Sequence, residues 1–346
     1  MQKTDHSERK KQHLEGCLRL ARQQPPRELF FDHRLLPKAF PDLALGEVDP
    51  STTFLGKRLT FSFMIGAMTG GFELGDDLNV QLARHARRAG VALALGSLRP
   101  FLTGAPMAPL LGLRRELGSE LPLLGNISVW QLADPKVTAG LAELAVVASL
   151  DALMVHVNPI QELAQPEGQR NFRRVFEALE RFVAGSTVPV FVKGTGEGFD
   201  DDAIQRLCTL PGLAGVETGG RGTCDFAAVE RLRCENPVEA LVAQSLEGLG
   251  RSAEGTFFAF KNLLPEEATL VFGGGVGGPR DMVKALALGA HLVSAASAPL
   301  LALTDGTLEI WLASMRESLS RHMLLLGCPN LERLRQGWAI EQRTLP

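Results

Sequence analysis

The sequence predicts a single (β/α)₈ barrel of the TIM-barrel type, in the α/β class, with an N-terminal helical arm. Eight short apolar runs end in small or polar residues, and each is followed by a segment with helical spacing of its apolar residues. Polar side chains collect at the carboxyl ends of these runs, where a barrel gathers its ligand-binding loops. A doubly wound open sheet also alternates strands and helices, but the polar ends of the runs favour the barrel.

The predicted elements alternate regularly along the chain. The strands are 63–69, 92–97, 123–128, 152–158, 188–194, 215–220, 269–275 and 291–297. The helices are 79–90, 134–149, 170–185, 201–210, 225–235, 254–265, 279–290 and 307–327. The polar strand ends are Thr69, Ser97, Asn126, His156, Asn158, Lys193 and Ser297. Residues 1–50 are predicted to form an arm that packs on or across the barrel, and residues 51–346 to form the barrel, as a single domain overall.

Composition excludes several classes of partner. The chain is 45% hydrophobic and 22% charged with a net charge of -3, so it has no broad attraction for nucleic acid or anionic lipid. The N-terminus lacks an apolar core of the signal-peptide kind, and no uncharged apolar run approaches the roughly 20 residues of a membrane span. We therefore predict a cytoplasmic protein with no nucleic-acid or membrane partner.

Its five cysteines form no CxxC pair, and we interpret them as reduced thiols without a metal role.

The fourth strand and its loop, HVNPIQELAQPEGQRNF (156–172), carry the densest set of polar side chains. His156 and Asn158 are two residues apart on a strand, so their side chains point to the same face. Gln161 and Glu162 begin the loop beyond them. A carboxylate at a barrel rim holds Mg²⁺ through one or two oxygens while diphosphate oxygens and water complete the octahedron, which is one interpretation of Glu162. The alternative is that Gln161 and Glu162 cap or solvate the following helix.

The segment GGGVGGPRD (273–281) after the seventh strand is typical of a phosphate site. Glycines let backbone N–H groups approach an anion closely, and Pro279 suits the start of a helix whose N-terminus adds positive potential. Gly273, Gly275 and Gly278 also satisfy the Rossmann pattern, but no acidic residue lies about 20 positions further on to bind a ribose hydroxyl. A glycine-rich turn without a ligand is the remaining alternative.

The stretch HVNPIQELAQPEG is similar to the HxNxxQExxQPEG motif of type 2 isopentenyl-diphosphate isomerases, and other motifs of that family follow in the family's order. The matching segments are RKKQH (9–13) for RKxxH, AMTGG (67–71), Ser97-Leu98-Arg99 for SQR, Asn126, Lys193 for the lysine of VKExGxG, and KALALGA (284–290). The resemblance covers nearly the whole chain.

The resemblance implies an FMN cofactor at the rim of the barrel. The implied FMN contacts are Ala67, Met68, Thr69, Ser97, Asn126, Lys193, Gly219, Thr223, Gly274, Gly275, Gly277, Ala296 and Ser297. A cation such as Lys193 near the electron-poor end of a flavin stabilises its anionic reduced form. The alternative is an interior lysine paired with a carboxylate such as Glu217, because an unpaired buried lysine is costly.

The resemblance also implies a substrate and a reaction. The reaction moves a double bond between isopentenyl and dimethylallyl diphosphate, with reduced FMN acting as acid and base, NADPH reducing the flavin and Mg²⁺ held by Glu162. The implied substrate-binding residues are Arg9, Lys10, His13, Ser97, Arg99 and Gln161, and the catalytic residues are Gln161, His156 and Asn158. Charge-assisted hydrogen bonds from arginine and lysine to phosphate oxygens are strong, which suits the arm to a diphosphate. Without the resemblance, the charged opening reads as a solvated helix. The family forms homo-tetramers or octamers, in which the arm often reaches a neighbouring active site.

The chain departs from the family motifs at five positions. They are Leu98 in SLR, Gln169 in QPEGQ, Gly194 in VKGTGEG, Cys224 in GTC and Gly277 in place of the arginine of GGIR. Thr223 or Cys224 occupies the motif threonine, depending on a shift of one residue. Two further hypotheses therefore stay open: a divergent paralogue that binds flavin or prenyl diphosphate without isomerising it, and an FMN-dependent oxidoreductase of the 2-hydroxyacid type.

Overall fold

The computed structural model confirms the barrel, and it describes residues 6–23, 28–30, 32–68, 72–222 and 224–342. Eight parallel strands close on themselves, with the last hydrogen-bonded to the first. The strands are β1 (Phe63–Ile65), β2 (Ala92–Ser97), β3 (Leu123–Ser128), β4 (Ala152–Val157), β5 (Val190–Gly194), β6 (Leu213–Glu217), β7 (Thr269–Phe272) and β8 (Leu292–Ala295). All eight lie within predicted apolar runs except the first two residues of β6, which precede the run that begins at residue 215.

Helices surround the barrel. They are α1 (His6–Gln23), α2 (Glu73–Ala89), α3 (Arg99–Leu102), α4 (Ala108–Leu117), α5 (Pro135–Val147), α6 (Pro159–Ala164), α7 (Val175–Gly185), α8 (Asp201–Cys208), α9 (Phe226–Arg233), α10 (Pro237–Ser245), α11 (Ala253–Leu263), α12 (Pro279–Ala287), α13 (Ser297–Thr304), α14 (Leu308–Leu325) and α15 (Leu331–Arg335). Within the described residues, no helix combines the length and the hydropathy needed to cross a membrane.

Register places the polar strand ends on one level. Along β4, residues 152–155 are buried and apolar, and exposure begins at His156. Across β3 to β6, the residues Ser128, His156, Lys193 and Glu217 are successive Cα partners. Residues paired in this way lie side by side in a sheet. The carboxyl ends of these strands therefore present one continuous polar row.

The arm packs over this end of its own barrel. Helix α1 contacts α9 and α13. Gly16 allows the close approach to α9, because a Cβ at this position would lie 3.1 Å from Val229 Cγ1. Leu14 is 5% exposed and packs with Phe72 and Leu300. The predicted helix in the charged opening is therefore present, but one face of it is buried.

The opposite end of the barrel is closed by short antiparallel strands. A hairpin joins Thr52–Phe54 to Lys57–Leu59, and the Phe54 ring packs edge-on against Phe191 at a centroid distance of 5.7 Å. His33–Leu35 pairs with Ile340–Gln342 and ties the start of the chain to its end. The hairpin therefore covers the amino-terminal end of β5.

Several helices differ from the prediction: α2 begins at residue 73 and not at 79, and α3, α4, α6, α13 and α15 were not predicted. The predicted helix 170–185 begins at residue 175, because Gln169 and Asn171 side chains accept backbone N–H bonds and hold the preceding residues in a turn. Helix α10 was not predicted, although the sequence carries its start: Asn236 accepts from Val238 N at 2.8 Å, and Pro237 occupies the first helical position.

Candidate active site

A cavity of about 420 Å³ opens at the carboxyl rim between α1 and strands β1 to β5. It brings together most of the predicted site residues. Those lining it are Arg9, Lys10, His13, Ala67, Met68, Ser97, Arg99, Asn126, His156, Asn158, Gln161, Glu162 and Lys193. Gly219, Gly274, Gly275, Gly277, Ala296 and Ser297 do not line it, and Thr69 and Thr223 lie outside the described residues.

Gln161 is held at both ends of its amide. Its Nε2 donates to Glu230 Oε1 at 3.0 Å, and its Oε1 accepts from Asn158 Nδ2 at 2.8 Å. Asn158 is itself fixed, because its Oδ1 accepts from Trp130 Nε1 at 3.0 Å. A side chain held at both ends has one rotamer and one amide orientation. The geometry therefore presents a fixed polar group to the cavity.

Glu230, on α9, is the centre of a charged network. It is 1% exposed and receives His13 Nδ1 at 3.1 Å in addition to Gln161. Arg233 also pairs with it and reaches Glu167 at 3.3 Å. Burial alone raises the pKa of Glu230, but the hydrogen bonds and charges of His13 and Arg233 lower it further than burial raises it, and the net pKa lies below the ordinary value. Glu230 is therefore a carboxylate at neutral pH.

His156 is a neutral hydrogen-bonding group. Burial lowers its pKa to about 4, with a further contribution from the charge of Lys193. Its Nδ1 lies 2.9 Å from Asn126 Oδ1. Because the Asn126 oxygen accepts, Nδ1 carries the proton and Nε2 is left as an acceptor. His156 therefore offers the cavity a lone pair and no charge.

The cavity mouth concentrates positive charge. Arg9 and Lys10 come from α1, and Arg99 comes from the start of α3. Burial, together with the charges of Arg9 and Arg99, lowers the pKa of Lys10 to about 8, although the charge of Asp76 opposes the shift. Like charges held this close favour a bound anion, because an anion relieves their repulsion.

Lys193 is paired beneath the cavity floor. Its Nζ lies 2.5 Å from Glu217 Oε1, and the same oxygen accepts from Ser294 Oγ at 2.8 Å. The pairing with Glu217 that was the alternative interpretation of Lys193 is therefore present. It does not remove Lys193 from the site, because the lysine side chain is 14% exposed and lines the cavity while Glu217 is 2% exposed.

The loop of residues 165–168, here called the QPEG loop, holds Glu162 in place. Glu162 Oε2 accepts from Gln169 N at 2.7 Å. Gly168 packs directly on the backbone of Glu162, since a Cβ at Gly168 would lie 1.9 Å from the Glu162 carbonyl oxygen. Among the residues that the structure describes, no group of three or more His, Cys, Asp or Glu side chains is arranged to hold a metal.

The glycine-rich segment after β7 folds into a tight backbone cradle. Gly274 and Gly275 have φ values of 107° and 88°, a conformation that disfavours residues with a Cβ. Gly222 lies against them, and a Cβ there would be 2.6 Å from Gly275 N. The Gly277 amide donates to Asp281 Oδ2 at 2.9 Å, so this amide already has an acceptor within the chain.

The departures from the family motifs have different structural settings. Leu98 is fully buried in the core, so position 98 directs no side chain into the cavity. Gly194 lies against β6, since a Cβ there would be 2.4 Å from the Thr218 carbonyl oxygen. Gln169 lines the cavity and turns the QPEG loop through its backbone contacts. Cys224 Sγ faces Cys17 Sγ of the arm at 3.7 Å, with both as free thiols.

Several other side chains in this site were not predicted, and four of them bear on its chemistry. Trp130, Glu167, Glu230 and Arg233 all line the cavity. Glu230 and Arg233 lie in the predicted helix 225–235, where charged residues at this spacing suggest a solvated face. The sequence carries no local signal for these residues, because the burial of α9 depends on how α1, α6 and α10 pack against it.

Comparison with known proteins identifies relatives along nearly the whole chain. A family model described as FMN-dependent dehydrogenase matches residues 253–341. A curated protein named isopentenyl-diphosphate delta-isomerase from Pelodictyon phaeoclathratiforme is 32% identical over 350 residues, covering 95% of each chain. A protein of the same name from Cronobacter sakazakii is 31% identical over 340 residues, covering 97% of each chain.

Solved structures share the fold. A flavocytochrome b2 variant with sulfite bound has a TM-score of 0.65 at 17% identity, covering 97% of this chain and 81% of the other. A lactate oxidase from Pediococcus acidilactici, titled as putative, has a TM-score of 0.65 at 16% identity, covering 95% of this chain and 87% of the other. At these identities the likeness supports a common barrel architecture and carries no function to this chain.

Proposed function

Because this chain belongs to the family of type 2 isopentenyl-diphosphate delta-isomerases, we propose that it is an FMN-dependent isomerase that converts isopentenyl diphosphate to dimethylallyl diphosphate. One observation carries the proposal. A single cavity combines the cations Arg9, Lys10 and Arg99 at its mouth with the fixed amide of Gln161 inside it. A prenyl diphosphate has two parts that match this arrangement. Its anionic head suits the cations at the mouth, and its small alkene suits the interior beside Gln161.

The residues present fit FMN. Ala67, Met68, Asn126 and Lys193 offer a ring-binding surface at the cavity floor. The amides of Gly274 and Gly275 suit the phosphate, since positive φ values and close packing against Gly219 and Gly222 give a compact glycine turn after β7. Ser297, at the start of α13, extends this site, and the engaged amide of Gly277 does not contribute. When bound in its reduced form, FMN supplies a proton donor and acceptor against the alkene.

The arm binds the substrate head. Arg9, Lys10 and Arg99 pair with diphosphate oxygens through charge-assisted hydrogen bonds. Glu162 provides one carboxylate for Mg²⁺, and diphosphate oxygens and water provide the other ligands, as is usual for this ion. A single protein carboxylate is therefore sufficient.

The interior groups orient the alkene and exclude other orientations of the substrate. Glu230 and Asn158 fix the Gln161 amide against the substrate carbons. His13 packs on the Phe226 ring at a centroid distance of 5.5 Å and closes the cavity above Glu230. His156 is neutral and accepts a hydrogen bond without attracting the diphosphate into the interior. These groups hold one reacting geometry, which is worth several kcal/mol of barrier in general.

Two components of the proposal rest on the family alone. NADPH, as the source of electrons for FMN, and assembly into homo-tetramers or octamers follow from the resemblance. Size-exclusion chromatography with light scattering measures the assembly, and anaerobic bleaching of the flavin absorbance by NADPH compared with NADH measures the reductant preference.

The decisive experiment is an anaerobic assay of the purified protein with isopentenyl diphosphate, NADPH, FMN and Mg²⁺. We expect dimethylallyl diphosphate, no net consumption of NADPH per turnover, and release of FMN when the protein is denatured. Bound FMN without turnover favours the non-isomerising paralogue. Flavin-dependent oxidation of a 2-hydroxyacid in place of isomerisation favours the oxidoreductase hypothesis.

A further inference from the structure

We propose that Glu217 is a positioning residue that holds the ammonium group of Lys193 and offsets its charge beneath the flavin ring. The inference rests on the proposed function in one respect, which is that FMN binds above Lys193. It gives a role in the site to Glu217, which the sequence suggested only as the partner of an interior lysine.

The contacts place Glu217 behind Lys193 as seen from the cavity. Lys193 and Glu217 are Cα partners on the adjacent strands β5 and β6. The lysine ammonium lies 2.5 Å from Glu217 Oε1, and only the lysine lines the cavity. A ligand on the cavity floor therefore meets the cation first and the carboxylate behind it.

The surrounding backbone makes room for this carboxylate. A Cβ at Gly273 would lie 2.6 Å from Glu217 Oε1, and a Cβ at Gly66 would lie 2.9 Å from Ser294 Oγ. Ser294, on β8, donates to the same carboxylate oxygen at 2.8 Å. Strands β1, β6, β7 and β8 thus all contribute to the carboxylate's surroundings.

Stability alone is a poor explanation for the pair. Replacing a buried ion pair with apolar residues of similar volume is often neutral or stabilising. In addition, Glu217 Oε2 is buried and has no hydrogen-bond partner among the described residues, and an unsatisfied buried oxygen is costly. This cost is explained if the negative charge of Glu217 acts on the flavin bound above Lys193.

The carboxylate partner of Lys193 is not the acid of the family motif. Residue 194, where the family motif VKExGxG has an acid, is adjacent to Lys193 on β5 and faces the other side of the strand, since a Cβ there would lie 2.4 Å from the Thr218 carbonyl oxygen. The carboxylate that pairs with Lys193 comes from β6. A lone cation beneath the ring would favour an anionic reduced flavin, whereas a pair of zero net charge leaves the reduced flavin protonated and able to act as an acid.

The test is the two-electron midpoint potential of bound FMN. Glu217→Gln keeps the side-chain length and an acceptor oxygen but removes the negative charge, so reduced FMN should bind about tenfold more tightly relative to oxidised FMN. That change corresponds to an upward shift of ~30 mV. Lys193→Gln should shift the potential downward. The matched control is Glu266→Gln, an exposed glutamate outside the cavity, which should leave the potential unchanged.

A double variant covers the case in which Glu217→Gln does not fold. Adding Glu217→Gln to Lys193→Gln removes both charges and should raise the potential back toward that of the wild-type protein. An unchanged potential in both backgrounds would overturn the inference, because a purely structural role does not move it. Bound FMN without isomerase turnover contradicts the proposed function and leaves this inference intact, whereas a wild-type protein that binds no FMN contradicts both.

Discussion

Gln161 Nε2 donates to Glu230 Oε1 across a distance of 3.0 Å, joining helix α6, which follows β4, to helix α9, which follows β6. The donor belongs to a motif that is evident in the sequence, and the acceptor belongs to a helix that has no such motif. Because the same Glu230 oxygen receives His13 of the arm at 3.1 Å, one carboxylate connects three segments of the chain around the cavity.

Glu230→Gln should reduce kcat by about 10 to 100-fold with little change in KM, because Gln161 loses a charged acceptor that fixes its amide. The change also leaves Arg233 without its buried partner, at a cost of about 3 kcal/mol in the free energy of unfolding. Steady-state kinetics and urea unfolding measure the two effects. The control is Glu235→Gln, an exposed glutamate between α9 and α10; a normal kcat in a folded Glu230→Gln variant would contradict the role of Glu230.

Substrate binding should weaken above pH 8. Burial and the neighbouring Arg9 lower the pKa of Lys10 to about 8 in the ligand-free protein, and a bound diphosphate raises it again. Lys10 is therefore protonated below pH 8 in both states, and above pH 8 the free protein must take up a proton to bind. KM should then rise by up to about tenfold per pH unit between pH 8 and 10.

The variant Lys10→Arg tests this assignment, because arginine stays charged throughout that range. Its KM should change less with pH than that of the wild-type protein. Lys11→Arg alters the exposed neighbouring residue and should keep the wild-type profile. The same steep profile in Lys10→Arg would assign the pH dependence to another group.

Glu162→Gln should raise the Mg²⁺ concentration needed for half-maximal activity at least about tenfold, because a neutral amide is a weaker ligand for a hard cation. Titration of activity with Mg²⁺ at saturating substrate measures the change. Glu180→Gln, at an exposed glutamate of α7 outside the cavity, serves as the control. An unaltered Mg²⁺ titration in Glu162→Gln would refute the ligand role.

Gly168→Ala should displace the QPEG loop, because its Cβ would lie 1.9 Å from the Glu162 carbonyl oxygen. We expect a loss of about 1 to 3 kcal/mol in stability, typical of overpacking, together with reduced activity. Gly112→Ala, in α4, has open space around the new Cβ and should be neutral or slightly stabilising. Thermal unfolding of both variants compares them; equal melting temperatures would show that the loop accommodates the methyl group.

The sequence predicted the barrel because the two features that indicate it are local: apolar runs that end in polar residues, and a glycine-rich segment after a strand. Strand β4 is apolar until His156, near its carboxyl end, and Gly274 and Gly275 follow soon after β7. The order of residues along the chain therefore indicates which end of the barrel forms the rim. His156, Asn158 and Gln161 were likewise predicted as neighbours, since they share one strand and its loop.

The tertiary structure decided which distant side chains complete the site. Glu230 and Arg233 carry no local motif in the sequence, and the packing of α1 and α6 against α9 leaves their side chains only 1% and 10% exposed. The register of β5 against β6 brings Glu217 beside Lys193, although 24 residues separate them. By itself the sequence determined the fold, the cavity's end of the barrel and the arm's cations, because these follow from periodicity and from contiguous motifs. The charge balance within the cavity depends on contacts between elements that are far apart in the chain, and only closure of the barrel brings those elements together.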